Sequence, residues 1–234
     1  MIVITLALET SVKQGSCCLL HDGRPVAEKV FSETETASEL LIATIRDMLA
    51  RNERGFESID RVVVGVGPGS FTGLRVGMIA AKLIAYFLDK PLHLIPSLDV
   101  LASAQCHQPM PVITIQNAYR KEVYSACYRT TPRLTRISPY QVCDVGQVQI
   151  PDEPCIVTGD GLELYEAIIR NRLGDRCLLA HKAEWIPRAA CADRLADLGV
   201  YPVVKRLEIF SAVPQYIRKS EAEIKWDLNH PVES

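Results

Sequence analysis

Gly67-Pro-Gly-Ser-Phe-Thr-Gly-Leu-Arg-Val-Gly77 joins an apolar run, Val62–Val66, to a stripe of Val76, Ile79, Ala80, Leu83, Ile84 and Phe87 at helical spacing. A glycine-rich turn from a buried strand into a helix can cradle an anion, because the first helical turn carries backbone N–H groups without intrahelical partners. Phosphate or carboxylate oxygens can take those donors, and so can a capping hydroxyl of Ser70 or Thr72. Gly67, Gly69, Ser70, Thr72 and Gly73 are therefore the candidate anion- or nucleotide-binding residues. The alternative is structural, with glycine placed where a tight turn needs positive φ and close packing. The string is neither a P-loop, which ends in Gly-Lys-Ser/Thr, nor a dinucleotide fingerprint, which has glycine where Thr72 stands. Arg75, one turn inside the helix, can reach an anion at the loop, meet a carboxylate on a partner chain, or form an internal ion pair.

Other chemistry-bearing residues are sparse. A phosphotransferase of the actin-like kind needs acids at its first strand turn to hold magnesium, and the chain offers Glu9 with Thr10 and Ser11. Asp160, in Val157-Thr-Gly-Asp-Gly161, starts a second strand-to-helix turn, where capping of the helix at Leu162 is the simpler role. Asn117-Ala-Tyr-Arg-Lys-Glu-Val-Tyr124 reads as a polar turn between strands. No serine sits in a Gly-x-Ser-x-Gly elbow. The five histidines are dispersed and no cysteine pair has Cys-x-x-Cys spacing, so no metal is expected. The eight cysteines read as buried free thiols rather than a disulfide framework.

These residues need elements to hold them. Residues 2–8, 15–21 and 25–31 read as three strands, with a hairpin signal at His21-Asp-Gly-Arg24, followed by a helix over 37–51. A strand at 62–66, the helix after the glycine loop and a strand at 92–95 complete a ribonuclease H-like unit. After Gln108-Pro-Met-Pro111 the order repeats more loosely: strands at 112–115, 122–128, 133–142 and 155–158, with helices at 162–172 and 189–198. The expected fold class is α/β, two ribonuclease H-like domains side by side in the manner of the actin-like ATPase superfamily. Residues 1–106 form the first domain, 107–213 the smaller second one, and 214–234 a charged tail.

Composition narrows the function classes. At 234 residues with 48% hydrophobic side chains, the chain can bury a core in each domain, and its net charge of −2 with scattered Lys and Arg argues against autonomous nucleic-acid binding. The apolar opening stops at Glu9 and reads as a strand rather than a signal peptide. No apolar window reaches membrane-span length, so a soluble cytoplasmic protein is expected. The helix from Ala37 is apolar around most of its first turns: Leu41, Ile45, Met48 and Leu49 suit a core, which leaves Leu40 and Ile42 facing solvent or a second chain.

The eleven-residue glycine string resembles the signature of the TsaB family, bacterial proteins that help make threonylcarbamoyladenosine in transfer RNA. Leu6-Ala-Leu-Glu-Thr-Ser11, Ala37-Ser-Glu-Leu-Leu41, Lys121-Glu-Val-Tyr124 and Pro214-Gln-Tyr-Ile-Arg218 are similar to further family segments. The resemblance spans nearly the whole chain and is strongest over residues 2–105. It implies a non-catalytic subunit whose first-domain helices dock on TsaD, the metal-bearing catalytic subunit, or on a second copy when TsaD is absent. TsaE supplies ATPase activity in that system, transfer RNA is met only through the complex, and ATP or ADP is implied at the subunit junction, with no cofactor of the chain's own. Carried over by position, Leu40, Leu41, Thr72, Arg75 and Ile79 are the implied interface residues. The chain departs from the family at Ala37, where histidine is frequent, at Ile42, where proline is, and at Asn117, where aspartate is usual. The competing readings are an active ATP-dependent phosphotransferase using Glu9 and Asp160, and a metallopeptidase.

Overall fold

Alternating apolar runs and tight turns at the start of the chain become an antiparallel meander of β1 (Ile4–Glu9), β2 (Ser16–His21) and β3 (Arg24–Val30). The β2–β3 turn puts Asp22 and Gly23 at φ of 46° and 73°, the pair of left-handed residues that a two-residue hairpin needs. The computed structural model describes residues 2–32, 34–35, 37–218, 223 and 226. After the meander come helix α1 (Ala37–Arg51), β4 (Arg61–Gly65), helix α2 (Phe71–Phe87), β5 (Leu92–Ile95) and helix α3 (Ser97–Ser103). β4 and β5 run parallel to β1, so the sheet reads β5-β4-β1-β2-β3.

The second half repeats this order. β6 (Val112–Asn117) pairs antiparallel with β7 (Glu122–Arg129), and β7 carries β8 (Thr135–Arg136) and β9 (Gln141–Asp144) on its far side. β10 (Cys155–Thr158), helix α4 (Leu162–Leu173) and β11 (Cys177–Leu179) follow, with β10 and β11 parallel to β6. Two sheets of the same strand order are the ribonuclease H-like duplication expected from the sequence.

The structure departs from expectation in several elements. The single strand expected at 133–142 is two short ones, because Pro139 interrupts the ladder between β8 and β9. Helix α3 and strand β11 were not foreseen. Helix α5 (Ala189–Ala196), assigned by sequence to the second domain, packs on β1, β2, β4 and β5, and β12 (Val203–Val204) extends the first sheet beyond β5. Residues 189–212 thus return to the first unit. Arg61 at the start of β4 holds α5 there, bonding the buried Asp193 at 2.6 Å and Asp197 at 2.5 Å. The tail begins against the body of the protein, with Gln215 N–H donating to the carbonyl of Val66 at 2.7 Å. Its residues 219–222, 224–225 and 227–234 lie outside the described part.

Helices α1 and α2 cover one face of the first sheet: Leu41, Ile45, Met48 and Leu49 of α1 share a core cluster with Met78, Ala81, Ile84 and Ala85 of α2. Helix α5 covers the other face through Ala189, Ala192, Leu195 and Ala196.

Candidate docking face and glycine loop

The glycine loop is built against the turn that follows β1. Ser70 caps α2, its Oγ accepting from Gly73 N–H at 3.2 Å, while Ser70 N–H donates to the carbonyl of Ser11 at 2.7 Å. Gly67 N–H donates to Ser97 Oγ at 3.1 Å, and Thr10 Oγ1 donates to the Gly73 carbonyl at 2.8 Å. A Cβ at Gly73 would stand 2.1 Å from the Thr10 carbonyl oxygen, and one at Gly69 would stand 2.3 Å from that of Ser11. Of the five loop residues read as anion binders, Gly67, Ser70 and Gly73 already direct their N–H groups to the protein's own oxygens. The glycines are needed for close packing, with Gly67 alone among them at positive φ, 100°.

Glu9 sits beneath this joint and is fully buried. Its Oε1 accepts from Ser11 N–H at 2.8 Å, and its Oε2 lies so close to Gly65 that a Cβ there would be 2.0 Å away. Burial raises its carboxyl above the usual carboxylate range. Asp160, expected to cap α4, instead accepts from Asn117 N–H at 2.7 Å and so ties the β10–α4 turn to the β6–β7 turn. Burial pushes its carboxyl up to about 6. In the β6–β7 turn, Tyr119, Arg120 and Lys121 have φ of 61°, 56° and 67°, with Asn117 Oδ1 accepting from Tyr119 N–H at 2.9 Å.

A cleft of about 660 Å³ opens above the strand ends of both sheets, between Ser11–Gln14, Asn117, Asp160 and Trp185. Ligands of open α/β sheets bind in such places, and a magnesium nucleotide is the ligand that the phosphotransferase reading requires. The residues present do not fit that group. Glu9 does not line the cleft and its carboxyl is enclosed. Two of the lining cations are paired, Arg188 with Glu28 at 2.6 Å and Lys182 with Glu163 at 3.7 Å. Among the described residues no group of three His, Cys, Asp or Glu side chains converges on a point.

The outward side of α1 and α2 is different in character. Leu40 and Ile42 on α1 are 36% and 52% exposed, and Ile79, Leu83 and Phe87 on α2 are 58%, 44% and 78% exposed. Thr72 and Arg75 lie on the same exposed side of α2. Leu41, placed by position among the interface residues, is 1% exposed and belongs to the chain's own core, because it follows Leu40 by the 100° that turns it inward. Arg75 lies over the ring of Phe71 at 3.9 Å and its Nε donates to Tyr216 Oη at 3.3 Å; among the described residues no carboxylate pairs with it. The side chain of Ala37 lies outside the described part.

Sequence reasoning missed the other wall of this face. A 3-10 helix, Arg206–Ser211, and the chain after it run beside α2, with Phe210 against Tyr86 at 4.8 Å and Tyr216 on Phe71 at 4.6 Å. The signal was present as Leu207, Phe210, Val213 and Tyr216, an apolar residue at every third position, all of them exposed. The cysteines are all free thiols, five of them buried; burial pushes Cys17 up to about 12 and Cys155 up to about 11. No described helix is long and apolar enough to cross a membrane.

The family described as TsaD, tRNA N6-adenosine threonylcarbamoyltransferase, matches residues 29–173. The chain is 28% identical over 226 residues to the tRNA threonylcarbamoyladenosine biosynthesis protein TsaB of Bacillus subtilis, covering 94% of this chain and 96% of that one. It is 34% identical over 121 residues to the protein of the same name from Haemophilus influenzae, covering 51% of each. Among solved structures, YeaZ from Pseudomonas aeruginosa shares the fold, with a TM-score of 0.77 at 24% identity over 92% of this chain and all of that one.

Proposed function

The chain belongs to the tRNA N6-adenosine threonylcarbamoyltransferase family, with TsaB proteins among its relatives, and from that premise we propose that it is a docking subunit without catalytic groups of its own. It takes part in the biosynthesis of threonylcarbamoyladenosine in transfer RNA. Its partner is a TsaD protein, which carries the transfer chemistry, with TsaE joining the same assembly and a second copy of the chain taking the partner's place when TsaD is absent. Transfer RNA is met through the complex, which suits a net charge of −2.

The uncovered apolar side of α1 and α2 carries this reading. Both helices already satisfy the first sheet with their inner sides, so Leu40, Ile42, Ile79, Leu83 and Phe87 are left exposed outside that core. A second pair of helices is the natural cover for two adjacent helices. An adenine nucleotide at the junction, also proposed, would meet Thr72 and Arg75 rather than the loop's glycines, whose N–H groups at Gly67 and Gly73 are taken. The work of the complex is cytoplasmic.

Co-expression with a TsaD protein, with threonylcarbamoyladenosine measured in the presence and absence of the chain, tests the reading. Nucleoside yield should rise only when both are present. Leu40→Asp and Ile79→Asp should each break co-purification, since a carboxylate forced against an apolar partner costs several kcal/mol. If both variants co-purify as the parent does, the docking face lies elsewhere. Magnesium-dependent ATP turnover by the lone chain, abolished by Glu9→Ala, would favour the phosphotransferase instead.

A further inference from the structure

Helix α3 is buried along its whole length, Ser97 to Ser103. It lies between the two halves: Val100 joins the apolar cluster of the first sheet and α5, while Leu98 and Ala102 join that of the second sheet. A helix so placed has no polar side to spare, yet it carries one acid. Asp99 is buried and accepts three tyrosine hydroxyls, from Tyr128 at 2.8 Å and Tyr140 at 2.6 Å on Oδ1, and from Tyr201 at 2.9 Å on Oδ2.

The three tyrosines come from opposite sides. Tyr128 stands in β7 and Tyr140 just before β9, both on the second sheet, and Arg136 lies over the Tyr140 ring at 3.7 Å. Tyr201 belongs to the returning segment that enters β12 on the first sheet. A carboxylate offers about four lone-pair sites, and three here are filled, by the buried hydroxyl of Tyr128 and by those of the half-buried Tyr140 and Tyr201. Burial beside Asp99 also raises all three phenols above their usual range, which keeps them protonated as donors. Rotation of one sheet against the other draws Tyr128 and Tyr140 away from Tyr201, and Asp99 cannot follow both.

We propose that Asp99 and its three tyrosines are a clamp that fixes the angle between the two sheets, so that the cleft above the strand ends neither opens nor closes. The actin-like architecture is thereby turned from a hinged pair of domains into one rigid block, whichever molecule docks on α1 and α2.

Spin labels attached by ketone chemistry at positions 50 and 171, both exposed, read the distance between the halves without involving the native thiols. The full-length parent should give one narrow distance distribution. Tyr140→Phe with Tyr201→Phe, removing one hydroxyl from each side, should broaden or shift it, and Tyr201→Phe alone should do so in part if the double variant does not fold. Thr114→Val removes a buried hydroxyl that bonds only within the second sheet, at 3.2 Å to the Ala126 carbonyl, and should leave the distribution narrow. Folded tyrosine variants as narrow as the parent, even with a lowered melting temperature, overturn the clamp. Equal broadening by Thr114→Val overturns it as well.

Discussion

The outer side of α1 and α2 and the joint beneath the glycine loop belong to the same domain and are built on opposite plans. At the joint, polar groups converge and many bond one another, Ser70 with Ser11 and Gly73, Thr10 with Gly73, and Gly67 with Ser97, while Glu9 Oε2 and Ser11 Oγ are buried below without a partner among the described residues. On the outer side of the helices, apolar side chains diverge, and Leu40, Ile42, Ile79 and Leu83 are left exposed. In the joint, the residue types that attract attention as chemistry serve packing. On the helices, residue types that suggest only core are left without one, and there the molecule has unsatisfied surface to offer.

Leu41 and Leu40 give the largest contrast, since they are adjacent in sequence and fall on opposite sides of α1. Leu41→Ala should lower the unfolding free energy by about 2–5 kcal/mol in urea titration, as expected for a truncated core leucine. Leu40→Ala should change it by less than about 0.5 kcal/mol. If Leu40 proves as costly as Leu41 in the monomer, at concentrations where no second copy docks, the outer side is already covered within the chain and the docking reading falls.

Much of this was legible in the sequence. The split of α1 into Leu41, Ile45, Met48 and Leu49 inside and Leu40 and Ile42 outside follows from helical spacing alone, and the order of most elements along the chain follows from apolar runs and turn signals. The use of the glycine loop was not legible, because a Cβ collision with Thr10 or Ser11 depends on contacts across 60 residues of chain. Helix α3 escaped notice for a related reason: buried on all sides, Ser97–Ser103 has no contrast between faces for periodicity to reveal. The return of α5 and β12 to the first sheet was equally hidden. Its determinants are the Arg61 pairs with Asp193 and Asp197, separated from Arg61 by more than half the chain.

Gly73→Ala probes the joint. Within a helix, alanine ordinarily stabilises by about 1 kcal/mol over glycine. Here its Cβ would meet the Thr10 carbonyl oxygen at 2.1 Å, a backbone atom that cannot rotate away. The collision should win, with a net loss of roughly 1–3 kcal/mol by urea unfolding. Inorganic phosphate should not restore the loss. Rescue by phosphate would mean that the loop holds an anion after all, and that the joint, not the helices, is the functional surface.

At the cleft, packed turns leave room for only a modest change. Asp160 is raised from 3.8 to about 6 by burial, although Asn117 N–H favours its charged form. For an acid raised on folding, the stabilisation is complete below the unfolded value and is lost as pH rises through the folded one. Between pH 4 and pH 7 the parent should therefore lose stability relative to Asp160→Asn, whose side chain does not titrate. The shift sets a ceiling of about 3 kcal/mol, which partial exposure brings to roughly 1–2 kcal/mol. Thermal or urea unfolding of both proteins across that range measures the difference directly. A flat difference would mean that Asp160 is already ionised and solvated at pH 4, so that the cleft is wetter and more open to ligands than the packed turns around it imply.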